Sequence, residues 1–265
     1  MRIANLFFLA ITAATAGATF AAPAIAQDKS RLQQILERGS IRVGTTGDFN
    51  PMSIRDPASN SFKGYEIDAA ADLAKELGVK LELVPTDWPT LVAGITANRY
   101  DIFMGGSSIN VARAKTIAYT IPYIETGTVP VYRKGDAGKF HSWDDINKTG
   151  VTVAVVLGTV FEQQAKQHFP NATVKSVQPP ASGFQEVLAN RADVTITSSI
   201  DAQGIVARYS TLGHMPLEAA RNKRPFGYIV AQGDPTWVNF LNTWIYLKKS
   251  EGLFTALEKK WFGAN

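Results

Sequence analysis

A strand-like and helix-like alternation runs along the chain twice, and this repetition constrains the fold more than any single motif. In the first copy, residues 41–45, 80–84 and 101–104 read as strands, with helices at 65–77 and 91–97. Ala70, Leu73, Ala74 and Leu77 fall on one face of the first helix, the period expected of a helix lying on a sheet. The second copy has strands at 151–157, 173–177 and 193–197 and helices at 161–168 and 184–189, the latter preceded by Ser182 and Gln185 at capping-box spacing. Such βαβαβ order predicts mostly parallel sheets with helices on their faces. Asn98-Arg99-Tyr100-Asp101-Ile102 and Asn190-Arg191-Ala192-Asp193-Val194 form a local echo, each joining a helix to the third strand of its copy. Two similarly built α/β lobes are expected, with a site between them at the carboxyl ends of the strands.

The extended, proline-containing segment 127–132 is a candidate crossing between lobes, and 225–230 a candidate return. Helices at 236–247 and 253–261 should then close on the first lobe. This divides the chain into lobe one at 27–127, lobe two at 128–224, and a return to lobe one at 225–265. Ahead of them, Arg2, an apolar run at 6–22 and the small-residue site Ala24-Ile25-Ala26 read as a cleavable signal peptide over 1–26. The run is short for a membrane span. The chain has no cysteine, which excludes a disulfide framework and lipid attachment at cysteine. A soluble periplasmic protein is expected, its mature chain not inserted in the membrane.

The formal net charge of +4 is spread along the chain, and no basic run or aromatic-interleaved basic patch suggests nucleic acid. A mild positive balance suits an anionic small ligand. His141, His168 and His214 are isolated, and without cysteine no metal site is expected. Gly105-Gly106 lacks the lysine of a phosphate loop and the spacing of a dinucleotide fingerprint, so no cofactor is expected either. Asp144 and Asp145 read as a solvated loop before Ile146.

The stretch 101–113, DIFMGGSSINVAR, carries the clearest chemistry. A short buried strand breaks at Gly105 and Gly106, where a ligand could approach the backbone, and Asn110 can cap a helix whose first turn contains Arg113. Ser108, the Arg113 fork and the helix start could converge on one carboxylate. The other account is a surface arginine after a tight turn.

With these motifs in place the chain resembles the extracytoplasmic solute-binding proteins of polar amino-acid ABC transporters, built on the type II periplasmic-binding fold of two α/β lobes joined by two crossing segments. The markers are IRVGTTGDFNPMS (41–53), GYEIDAAADLA (64–74), SSINVAR (107–113), IPYIETG (121–127) and EGLFTALEKKWFG (251–263). TTGD, TDWPTL (86–91) and SIN (108–110) are similar to the branch containing periplasmic cyclohexadienyl dehydratase. The resemblance implies a small carboxylate-bearing ligand and an inner-membrane ABC permease as partner. It implies that Arg113, Ser108 and the Gly106 backbone hold the carboxylate, while Phe49 and Trp88 flank the ligand; core packing is the other account of those two aromatics. Gly158, Thr159 and Val160 would offer helix-start amides from lobe two. Where the family places carboxylates for the ligand's ammonium, this chain has Ser198 and Thr46. A ligand without an α-ammonium is therefore expected, unless Asp48, Glu162 or Asp201 turns inward. Glu162 would be the general acid of a dehydratase, the alternative function, although Asn50 replaces the lysine expected there.

Overall fold

The computed structural model describes residues 29–263, so the signal-peptide expectation over 1–26 lies outside the described residues. Ser30 opens the helix Arg31–Arg38 by accepting the Leu32 N–H, and Gly39, at φ 71°, ends it. The next residues enter a five-stranded sheet in the order Lys80–Pro85, Ser40–Thr45, Ile102–Phe103, Ile229–Ala231, Ile117–Tyr119. The first three strands are parallel, with Val43 opposite both Leu83 and Ile102. Ile229–Ala231 is antiparallel to both neighbours. The expectation of mostly parallel sheets holds, since four of the five strands run the same way and this one alone is reversed. A parallel strand requires a crossover, whereas this one arrives directly from the other lobe.

The second sheet runs Thr173–Val177, Thr152–Val156, Val194–Ser198, Ile124–Arg133, Leu212–His214, and again a single strand, Ile124–Arg133, runs against the others. Ile124–Arg133 also pairs at its beginning with Arg221–Phe226, placing Phe226 opposite Ile124 and Arg221 opposite Thr128. Two antiparallel strands therefore connect the lobes, and Ile229–Ala231 already belongs to the first sheet.

The repeated Asn-Arg-x-Asp segment has the same physical role in each lobe. Asn98 and Asn190 both sit at φ 56°, a left-handed conformation that asparagine tolerates at a helix end. Asp101 then accepts the Arg42 N–H of the neighbouring strand at 2.8 Å, and Asp193 accepts the Thr152 N–H at 2.9 Å. Each aspartate fixes the start of the central strand in its sheet.

The closing helices Pro235–Ser250 and Leu253–Phe262 bury Trp237, Leu241, Trp244, Ile245, Phe254 and Leu257 in the same core as Ile41, Val43 and Leu73. Each such side chain contributes about 1.5–3 kcal/mol of burial. Asp144 and Asp145 are not in a loop. They belong to the one-turn helix Trp143–Ile146, formed because Trp143 and Ile146 are buried and Ser142 and Asp145 cap it reciprocally.

Candidate functional site

Between the sheets lies a cavity of about 60 Å³, room for on the order of five waters. Lobe one contributes Asp48, Phe49, Trp88, Gly106, Ser108 and Arg113; lobe two contributes Thr159, Val160, Phe161, Phe184, Thr197 and Asp201 among others. Its wall is largely aromatic and aliphatic, with charge at three points.

Gly106 has a backbone reason to be glycine. Its φ is +75°, and a Cβ there would lie 2.6 Å from Phe49 Cε1. The absent side chain lets Phe49 close over the loop, where the ring packs edge-on to Trp88 at 6.1 Å. Asn110 Oδ1 accepts the Ala112 and Arg113 amides at 2.7 and 3.4 Å and so orients Arg113. That guanidinium donates to Ser107 Oγ at 3.2 Å and to the Gly158 carbonyl of the opposite lobe at 2.7 Å. Neither partner is an anion.

Of the residues expected from sequence, Phe49, Trp88, Gly106, Ser108, Arg113, Thr159 and Val160 meet at the cavity. Thr46 and Ser198 do not. Thr46 lines an adjoining open vestibule, which shares Asp48, Ser182 and Phe184 with the cavity. Ser198 is fully buried and caps the helix Ser199–Arg208 by accepting the Asp201 N–H. The carboxylates at the cavity are instead Asp48 and Asp201. Trp88 Nε1 donates to both oxygens of Asp48 at 3.0 and 3.1 Å. Asp48 is hemmed in by protein yet open to solvent on one side, and this desolvation raises its carboxyl above the usual range despite the Trp88 donor. Burial pushes Asp201 up to about 7, opposed by the Thr197 hydroxyl and reinforced by the charge of Asp48. The two acids, one from each lobe, thus sense each other across the cavity.

Glu162 has a different setting. It is no part of the cavity wall. Its Oε2 accepts the Gly158 N–H at 2.8 Å, and its Oε1 meets Lys166 Nζ and Ser176 Oγ, each at 2.8 Å. Burial pushes its carboxyl up, but Lys166 and the two other donors outweigh burial and hold it below the usual glutamate range. The Gly158 amide expected to face a ligand is thereby occupied. Thr159 caps Val160–His168 by accepting the Glu162 N–H. Phe184, Thr195, Thr197 and Ile205 also line the cavity and had no individual signal, although the two-residue alternation of Val194–Ser198 places Thr195 and Thr197 on one face.

Among the described residues, no group of three or more metal-ligating side chains is gathered to hold an ion, and no helix is long and apolar enough to cross a membrane. The chain is 30% identical over 248 residues to a cyclohexadienyl dehydratase of Pseudomonas aeruginosa, covering 92% of this chain and 90% of that protein. It is 27% identical over 238 residues to the L-cystine-binding protein TcyJ of Escherichia coli K12, covering 90% and 88%. Among solved structures it matches an ancestral amino acid-binding protein, described as a precursor of cyclohexadienyl dehydratase, with a TM-score of 0.82 and 37% identity over 88% of this chain and all of that one. The fold is that of type II periplasmic amino-acid-binding proteins. With residues 41–264 matching the family as a whole, the chain belongs to the bacterial extracellular solute-binding proteins, family 3.

Proposed function

We propose that this protein is the extracytoplasmic binding component of an ABC importer for a small amino acid, which it encloses between its lobes and presents to an inner-membrane permease. One observation carries this reading: Arg113 from lobe one and Asp201 from lobe two line the same cavity between the lobes. A guanidinium fork suits a carboxylate, and a desolvated aspartate suits an ammonium. The expectation of a ligand lacking an α-ammonium rested on Ser198 and Thr46; with Asp48 and Asp201 at the cavity, that argument no longer applies. Amino-acid and cystine binding among the relatives supports the same class. The dehydratase alternative needs a protonated Glu162 against the solute, whereas Glu162 is ion-paired and outside the wall.

A thermal-shift screen of the mature protein against the proteinogenic amino acids tests the reading. At about a hundred times its dissociation constant, a ligand adds roughly 2.7 kcal/mol to the folded state, a shift easily seen. Stabilisation by prephenate with measurable turnover, and by no amino acid, would replace the importer with the enzyme.

A further inference from the structure

We propose that Glu66 is a positioning residue of the carboxylate site: acting through the Gly106 peptide, it admits the ligand's carboxylate best when its own carboxyl is uncharged. This role rests on the amino-acid reading of the cleft, with the ligand's carboxylate at Arg113, Ser108 and the Gly106 backbone. Gly106 lines the cavity. Its amide is also directed at Glu66, a fully buried residue that is no part of the cavity wall. One peptide therefore stands between the cavity and a buried acid.

The local sequence fixes that placement. Glu66 stands in the first turn of the helix Tyr65–Leu77, where an acid complements the helix dipole. The turn is pinned in the core, because the Glu66 N–H donates to the Met52 carbonyl at 2.9 Å and a Cβ on Gly64 would collide with that same carbonyl. Met52 in turn packs behind Gly106, its Cγ 3.3 Å from where a Cβ of Gly106 would lie. Tyr123 donates its hydroxyl to Glu66 Oε1, whereas Oε2 has no hydrogen-bond partner among the described residues. The buried hydroxyls of Tyr65 and Tyr228 also lack one.

Every group that faces this carboxyl is neutral or acidic. Tyr65 comes from its own helix, Tyr123 from the segment before the first crossing strand, and Tyr228 from the return to lobe one. Beyond them Asp72 and Glu258 add like charge to Tyr228 and Tyr65. Among the described residues no lysine, arginine or histidine acts on Glu66, and burial raises its carboxyl to about 8. A ligand carboxylate beyond Gly106 brings a second negative charge toward it and competes for the same amide dipole. Ionised Glu66 therefore weakens carboxylate binding, and by reciprocity a bound carboxylate draws a proton onto Glu66. The sign is opposite to that of Asp201, which meets the other end of the ligand.

Titration calorimetry from pH 6.5 to 9 tests the role by comparing wild type with Glu66→Gln, the isostere of the uncharged acid, using the proteinogenic amino acid that gives the largest thermal shift. The ratio of the two affinities cancels the titration of Asp201 and of the amino acid, which both proteins share. It should be near one at pH 6.5, and at pH 9 wild type should bind at least about threefold more weakly than Glu66→Gln. In wild type at pH 8, adding that amino acid should strengthen the infrared band of protonated carboxyl, a readout that needs no variant. A ratio that stays near one to pH 9, or a band that does not grow, overturns the role of Glu66 and leaves the amino-acid reading standing. A ratio displaced equally at every pH overturns the charge coupling and assigns Glu66 to packing alone. Binding of organic acids with no amino acid bound removes the amino-acid reading, and the same ratio taken with the bound acid then decides Glu66 separately. Absence of any bound carboxylate overturns both.

Discussion

Two buried acids give this protein a pH response at the level of single residues. Glu66 is fully buried behind the Gly105-Gly106 turn, where it accepts the Tyr123 hydroxyl, and burial pushes its carboxyl up to about 8 despite that bond. A carboxyl whose folded pKa exceeds its unfolded one binds more protons when folded, so stability falls as pH rises from about 4.5 toward 8. Glu66→Gln keeps the shape and removes this burden. Its melting temperature should exceed wild type at pH 7.5, by on the order of 2 kcal/mol in stability, and converge with it at pH 4.5. A constant offset across that range would locate the effect in packing. Asp201 follows the same sign in the closed site, being largely protonated below about 7. A ligand ammonium favours its ionised form, so binding should release a proton and strengthen from pH 5.5 to 8. Calorimetry in buffers of different ionisation heat measures that release, and Asp201→Asn should abolish it. The sequence showed both aspartates as candidates but not their direction. Asp48 follows the turn at Gly47, and Asp201 stands one helical turn beyond Ser198; in such places backbone geometry decides where a side chain points.

At the scale of elements, the echoed aspartates separate what was legible from what was not. The strand and helix order and the place of each Asp were readable because they follow local periodicity and capping. The partners were not, because they come from distant segments. Asp101 has a fully buried side chain and meets Arg31, Arg38 and Arg42. Asp193, at 36% side-chain exposure, meets Arg133 at 3.4 Å. Removing one side of a buried ion cluster leaves uncompensated charge and costs about 3–5 kcal/mol, whereas an exposed pair is worth about 0–1 kcal/mol. Asp101→Asn should therefore lower the urea midpoint severalfold more than Asp193→Asn. Equal losses would mean that the shared strand-start hydrogen bond, not the arginine cluster, dominates. At Glu162 the two cases meet: Lys166 lies four residues along the same helix, a spacing legible in the sequence, whereas Ser176 reaches it from the strand Thr173–Val177 and was not.

For the whole molecule, enclosure of the solute depends on how closely the lobes approach. Arg113 reaches the Gly158 carbonyl, Asn110 Nδ2 reaches Gln163 Oε1 at 3.4 Å, and a Cβ on Gly158 would lie 2.9 Å from the Pro89 backbone. Gly158 is at φ +77°, so alanine there carries a left-handed strain of about 1 kcal/mol in addition to the clash. Gly150, at φ +89° with no atom within 4 Å of a built Cβ, supplies the control for strain alone. Both alanine variants should lose about 1 kcal/mol of stability. Only Gly158→Ala should also hold the lobes apart, because the backbone of Pro89 has no flexible end to move aside. Ligand affinity should then fall at least tenfold, and small-angle scattering with saturating ligand should show less compaction than in wild type. Full compaction with unchanged affinity in Gly158→Ala would show that the lobes close without this contact, and that the apposition of Gly158 and Pro89 does not control access to the cavity.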